Sequence, residues 1–129
     1  MKLELKHLAP YLPYGLKFKD IPKGYNKDRL LNIVSFEWCL SNGKPILRPL
    51  SDLTKEIKVN GNLFTPNHHP LFKIFISADM DWFIDNCPFF VDYGQVQKLL
   101  EWHFDVFGLI DAGLAIDKNT LWKQVFTST

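Results

Sequence analysis

Long apolar runs are missing from this 129-residue chain, and no stretch approaches the roughly 18 consecutive apolar residues of a membrane-spanning helix. Cysteine is scarce as well: Cys39 and Cys87 are the only two, and they stand in no C-x-x-C or other short metal-binding spacing. A disulfide-dense scaffold and a cysteine zinc site are thereby excluded, and the two read as free thiols of a reducing compartment. The seven glycines form no phosphate-cradling loop, and no G-x-S-x-G, Walker-type or dinucleotide fingerprint occurs. The common catalytic signatures are absent, so the expectation is a protein that is not an enzyme and needs no cofactor. The opening MKLELKHLAPYLPYGL carries Lys2, Glu4, Lys6, Pro10 and Pro13, which interrupt any apolar signal region and point to the cytoplasm. Net charge is only +1, so the whole-chain basicity of a nucleic-acid binder is lacking.

What is present is a core. Apolar residues make up 47% of the chain and aromatics 15%, with 11 Phe, which excludes disorder and predicts a single domain over residues 1–129. Charge is unevenly spread: residues 1–65 hold 11 Lys/Arg against 6 Asp/Glu, and residues 66–129 hold 4 against 8. This polarity is either incidental to one folded unit or a basic face for an acidic partner, a nucleic acid or a second copy. Lys17, Lys19, Lys23, Lys27 and Arg29 are the candidates for phosphate contacts on that face.

Prolines 10, 13 and 22 punctuate residues 1–28, leaving a helical turn near His7–Leu12, a strand near Leu16–Lys19 and a polar loop over Asp20–Asp28. Two Asn-Gly pairs then suggest type I′ hairpins. Asn42-Gly43 places a first hairpin in 29–50, with Glu37 opposite Arg48 and with Pro45 and Pro49 facing an open edge. Asn60-Gly61 places a second in 56–65, pairing Val59 with Asn62, Ile57 with Phe64, and Lys58 with Leu63. Residues 68–86 read as short helical pieces. A capping box at Asp92 and Gln95, with a Val91–Val96 staple, opens a helix over 93–112. Its apolar stripe runs through Leu99, Leu100, His103, Phe104, Phe107 and Ile110, and Gly113 closes it with Leu114 folding back on Leu109. The expected fold is therefore α+β: a small antiparallel sheet of hairpins packed against one long C-terminal amphipathic helix.

Each chemically suggestive residue has a plain alternative. His68-His69 point to different sides of most backbones and suit a surface loop. Asp79, Asp81 and Asp85 have spacing that can hold a divalent cation, but they lack the glycine and terminal glutamate of a calcium loop and suit a helix start equally well. His103 and Asp105 are two apart and so do not face each other on a helix; His103 reads as a part-buried histidine that satisfies a backbone group. Trp102 lies off the main stripe and, exposed, would be an interface anchor.

Three blocks carry a resemblance. These are Leu8–Leu16 (LAPYLPYGL), Lys44–Ile57 (KPILRPLSDLTKEI) with Val59-Asn60-Gly61, and Gln97–Ile110 (QKLLEWHFDVFGLI). Together they resemble short uncharacterised proteins of bacterial prophages and mobile elements, while 66–90 departs from that pattern. The resemblance implies a phage-related protein of the host cell's interior and brings no catalytic residues with it. The expectation is an accessory protein that binds another protein or itself. Nucleic-acid binding and a carboxylate metal site are the two alternatives.

Overall fold

The computed structural model describes residues 2–20, 28–66 and 93–120. The chain opens with α1 (Leu5–Leu8), entered by a hydrogen bond of 3.0 Å from the Glu4 N–H to His7 Nδ1. Pro10 sits in the first turn of a 3-10 helix, Ala9–Tyr14, where a missing N–H does no harm. Gly15, at φ 68°, then swings the chain into β1 (Lys17–Asp20). The helical turn and strand expected here are present.

A four-stranded sheet follows the order β2-β1-β3-β6, with β2 Asp28–Leu30, β3 Gly43–Leu47 and β6 Ile116–Asp117. β1 pairs antiparallel with both β2 and β3, whereas β3 and β6 run parallel. β4 (Ile57–Val59) and β5 (Asn62–Phe64) form a separate hairpin. Three α-helices complete the described residues: α1, α2 (Phe36–Asn42) and α3 (Tyr93–Glu101). None is long and apolar enough to cross a membrane. The core face of the sheet carries Phe18 and Leu47, and the buried cluster adds Leu8, Tyr11, Leu53, Leu99, Phe104 and Leu109. Each of these large side chains contributes about 1.5–3 kcal/mol gross by leaving water.

The first expected hairpin does not form. Asn32 Oδ1 accepts from the N–H of Ser35 at 2.9 Å, and Ser35 Oγ accepts from the N–H of Asn32 at 3.1 Å. This reciprocal cap starts a helical turn where a strand was expected, and Phe36, Cys39 and Leu40 continue it inward. Glu37 is consequently exposed on α2 and makes no cross-strand pair with Arg48. Pro45 lies in β3 opposite Phe18, and the pairing with β6 begins only at Ile46, one residue beyond it.

The second hairpin matches its expected register in all three pairs, Ile57↔Phe64, Lys58↔Leu63 and Val59↔Asn62. Asn60 and Gly61 hold φ of 52° and 83°, the left-handed pair that a type I′ turn requires.

The long C-terminal helix is not there. α3 ends at Glu101 because His103, at φ 65°, takes the left-handed position usually given to glycine. The N–H of Phe104 then reaches the Leu99 carbonyl at 2.8 Å, and that of His103 reaches Leu100 at 3.1 Å, a complete Schellman motif. The expected stop at Gly113 is nonetheless real. Leu114 donates to the Leu109 carbonyl at 2.9 Å and Gly113 to Ile110 at 3.0 Å, closing a second, single turn. The apolar stripe still reaches the core, with Leu99, Phe104 and Leu109 fully buried, but along a broken path. The cap at Val91–Asp92 and the helical pieces of 68–86 lie outside the described residues.

Candidate functional site

Among the described residues, four of the seven exposed large apolar side chains fall within Leu30–Trp38, while Leu5, Leu63 and Tyr93 stand elsewhere. Ile33 is 78% and Val34 89% exposed, and Leu30 and Trp38 beside them are also open to solvent. The turn that carries them is fixed by side chains. Asn32 Oδ1 accepts from Val34 as well as Ser35, and Ser35 Oγ donates to the Leu30 carbonyl at 2.7 Å. Leu31, between them, is buried, and its N–H bonds the Leu16 carbonyl at 2.8 Å. Trp38 Nε1 donates to Asp20 Oδ2 at 3.0 Å, so the indole is anchored at one edge while 43% of the residue stays exposed. Two branched aliphatic side chains thus project from a pre-set turn on the edge-strand side of the sheet.

The Asp20 anchor is shared. Arg29 approaches Oδ2 at 3.5 Å and lies over the Phe18 ring at 5.4 Å, while Asp20 Oδ1 is buried with no hydrogen-bond partner among the described residues.

A separate, concave feature is a cleft of about 1060 Å³ between the β4–β5 hairpin, α3 and Pro13-Tyr14. Among its lining residues, Phe64 packs on Trp102 with ring centroids 4.9 Å apart, and Lys98 and Glu101 form a 2.9 Å ion pair.

The expected site residues fall as follows. Trp102 is only 8% exposed, so it is not the interface anchor expected; its ring packs on Phe64, and Lys98 Nζ stands 5.9 Å above it. Of the two tryptophans among the described residues, Trp38 is the one that reaches the surface. Lys17 is exposed, Lys19 is ion-paired with Asp28, and Arg29 is engaged with Asp20. Lys23, Lys27, His68, His69, Asp79, Asp81, Asp85 and Cys87 lie outside the described residues. Cys39 is a buried free thiol that desolvation pushes up to about 12, against a weaker opposing influence of Arg29.

His103 satisfies a backbone group, as its position suggested. Its Nε2 lies 2.6 Å from the Tyr14 carbonyl, which only accepts, so Nε2 carries the proton. Burial is the main cause that lowers its pKa, with Lys118, Arg48 and Lys17 repelling a second proton. Asp105 does not pair with it. Its carboxylate accepts from Leu109 and Ile110 at 2.8 and 2.9 Å, and burial raises its pKa more than those bonds lower it. Among the described residues no group of three or more His, Cys, Asp or Glu is placed to hold a metal ion.

Sequence reasoning missed the Ile33–Val34 tip because Asn42-Gly43 drew 29–50 into a hairpin. The available signal was Asn32 three residues before Ser35, ahead of a Phe36–Cys39–Leu40 helical spacing. No protein family, curated protein or solved structure matches this chain.

Proposed function

We propose that this chain is a non-enzymatic protein–protein interaction module of phage-related origin, working in the host cytoplasm. It engages its partner with Ile33 and Val34, flanked by Leu30 and Trp38. The observation that carries this reading is the near-complete exposure of two β-branched side chains on a turn locked by Asn32 and Ser35. Exposed apolar side chains grouped in this way suit an interface. A pre-ordered turn and stiff χ1 angles reduce the entropy lost on docking. Trp38 adds a large ring with its polar edge already satisfied, the kind of residue that dominates binding energy.

The test is affinity capture with the intact chain and with an I33D/V34D variant, each checked by thermal melting. Both side chains lie outside the core, so the variant is expected to melt like the parent. The parent should retain a protein that the variant loses, and W38A should weaken the same capture. If parent and variant retain the same set, the tip is not the binding surface. Sedimentation of the purified chain identifies self-association: concentration-dependent dimers lost in I33D/V34D would make a second copy the partner.

A further inference from the structure

A β-strand sends alternate side chains to opposite faces, and directly paired residues share a face. In β1, Phe18 and Asp20 turn to the core, so Lys17 and Lys19 take the other face. The register Lys19↔Lys44 brings Lys44 to that face, and Lys19↔Asp28 brings one carboxylate. Ile46, two residues beyond Lys44, pairs with Ile116, and these two form the buried middle of the face. Lys118 follows β6 directly, alongside the end of β3 where Arg48 stands. Cations therefore come from β1, β3 and the residue after β6, although their positions in the sequence are far apart.

The charges on this face are poorly balanced. Lys19 has Asp28, and Arg48 donates to the Trp102 and Lys58 carbonyls. Lys17, Lys44 and Lys118 have no ion pair among the described residues. Lys118 feels the crowding. Its residue is exposed, yet its ammonium lies among protein atoms, and that desolvation, then repulsion by Arg48 and Lys17, lowers its pKa against a weaker pull from Asp28. The one arginine here spends its fork on backbone carbonyls, so the free donors are lysine point charges. Point charges suit phosphates without geometric selection, whereas planar recognition of protein carboxylates favours an arginine fork.

We propose that this sheet face, with Lys17, Lys44 and Lys118, binds the phosphate backbone of nucleic acid without reading its sequence. The site is separate from the Ile33–Val34 tip and does not depend on the function proposed for it. It also differs from the basic set read off the N-terminal half, because the fold pairs Lys19 and Arg29 with acids and recruits Lys44 and Lys118 instead.

The experiment is fluorescence anisotropy of a short mixed-sequence DNA duplex titrated with the full chain across a series of NaCl concentrations. Two doubles are compared, K17E/K118E and the charge-matched K6E/K98E, whose lysines stand on α1 and α3 and not on the sheet. Binding at low salt should weaken linearly in log Kd against log salt. K17E/K118E should lose binding, and the neutral pair K17Q/K118Q should reduce the salt slope by about 2, at roughly 0.9 per phosphate contact. K6E/K98E should bind within about twofold of the parent once corrected for net charge. The proposal is overturned by any of three results: no binding at low salt, equal loss in both doubles, or polyglutamate of matched charge binding as tightly as DNA. Exposed lysine changes leave the fold intact, and a melting curve for each variant verifies it.

Discussion

Arg48 Nε donates a 3.0 Å hydrogen bond to the carbonyl oxygen of Trp102, just beyond the last residue of α3. The same guanidinium reaches the Lys58 carbonyl through Nη2 at 3.0 Å, so one side chain joins the end of the helix to the β4–β5 hairpin. Its backbone does the matching work. The Arg48 N–H bonds the His103 carbonyl and its carbonyl accepts from Asp105, both at 2.8 Å, which makes 103–105 a parallel extension of the sheet. Burial lowers the Arg48 pKa, partly opposed by Asp52, yet arginine stays charged at any ordinary pH.

R48M should therefore destabilise the fold by about 2–4 kcal/mol, because two carbonyls lose charged donors in a buried setting. R48K should fall between, since an ammonium cannot span both acceptors in the same geometry. Urea unfolding followed by tryptophan fluorescence gives both values. A midpoint for R48M equal to the parent would show that Arg48 does not join these elements.

The Asn60-Gly61 hairpin was legible down to its register because its pattern is local: a turn pair with strand formers on either side. The stop at Gly113 with Leu114 over Leu109 was legible for the same reason. What misled was non-local. Asn42-Gly43 has the letters of a hairpin turn, but β3 finds its partners at β1 and β6, at least 23 and 70 residues away in register. The break in the C-terminal helix rests on His103 in a left-handed conformation, which is stabilised by Arg48 and by Tyr14 from distant segments. The site was legible only in kind. Sequence suggested an exposed tryptophan but pointed to Trp102, which is buried and packs on Phe64 from the hairpin, whereas Trp38 is exposed.

Stability should fall as the solution is acidified through neutrality, with His103 as a principal cause. Its folded pKa lies below the ordinary 6.5, so the unfolded chain takes up a proton first. The contribution is whole above pH 6.5, is lost as pH falls below it, and levels once the folded imidazole also protonates. Asp105, raised above 3.8, has the opposite sign: its contribution is whole at lower pH and is lost as pH rises through its folded pKa. The clean comparison is therefore H103N against the parent. The variant should show a flatter dependence between about pH 7 and 5 in urea titrations. Parallel curves would remove His103 from the account.

At Gly61 the strain is in the backbone alone. Its φ is 83°, and a Cβ added there would have no atom within 4 Å, so G61A meets no steric obstacle. It should still cost about 1–2 kcal/mol, the penalty of a left-handed conformation for an L-residue. N60G, at φ 52°, should change stability by less than about 0.5 kcal/mol. Thermal or urea unfolding reads both, and an unchanged midpoint for G61A would contradict the turn assignment.

Gly43 is the opposite case, and it explains why a glycine follows Asn42 without forming a turn. Its φ of −128° is open to any residue, so backbone freedom is not what it supplies. A Cβ there would stand 2.7 Å from Phe18 Cδ2 and 3.1 Å from the Cys39 Cα, closer than packed atoms tolerate. Glycine is what lets α2 end, β3 begin and Phe18 lie flat across the junction. G43A should destabilise by about 1–3 kcal/mol through overpacking. F18L also destabilises on its own by removing core volume, but it clears the nearer contact. The double variant F18L/G43A should then be less destabilised than the two effects added, with a coupling of about 1 kcal/mol or more. The Cys39 backbone contact remains, so relief is partial. If the two changes add within about 0.5 kcal/mol in urea unfolding, the contact between position 43 and the Phe18 ring does not govern this junction.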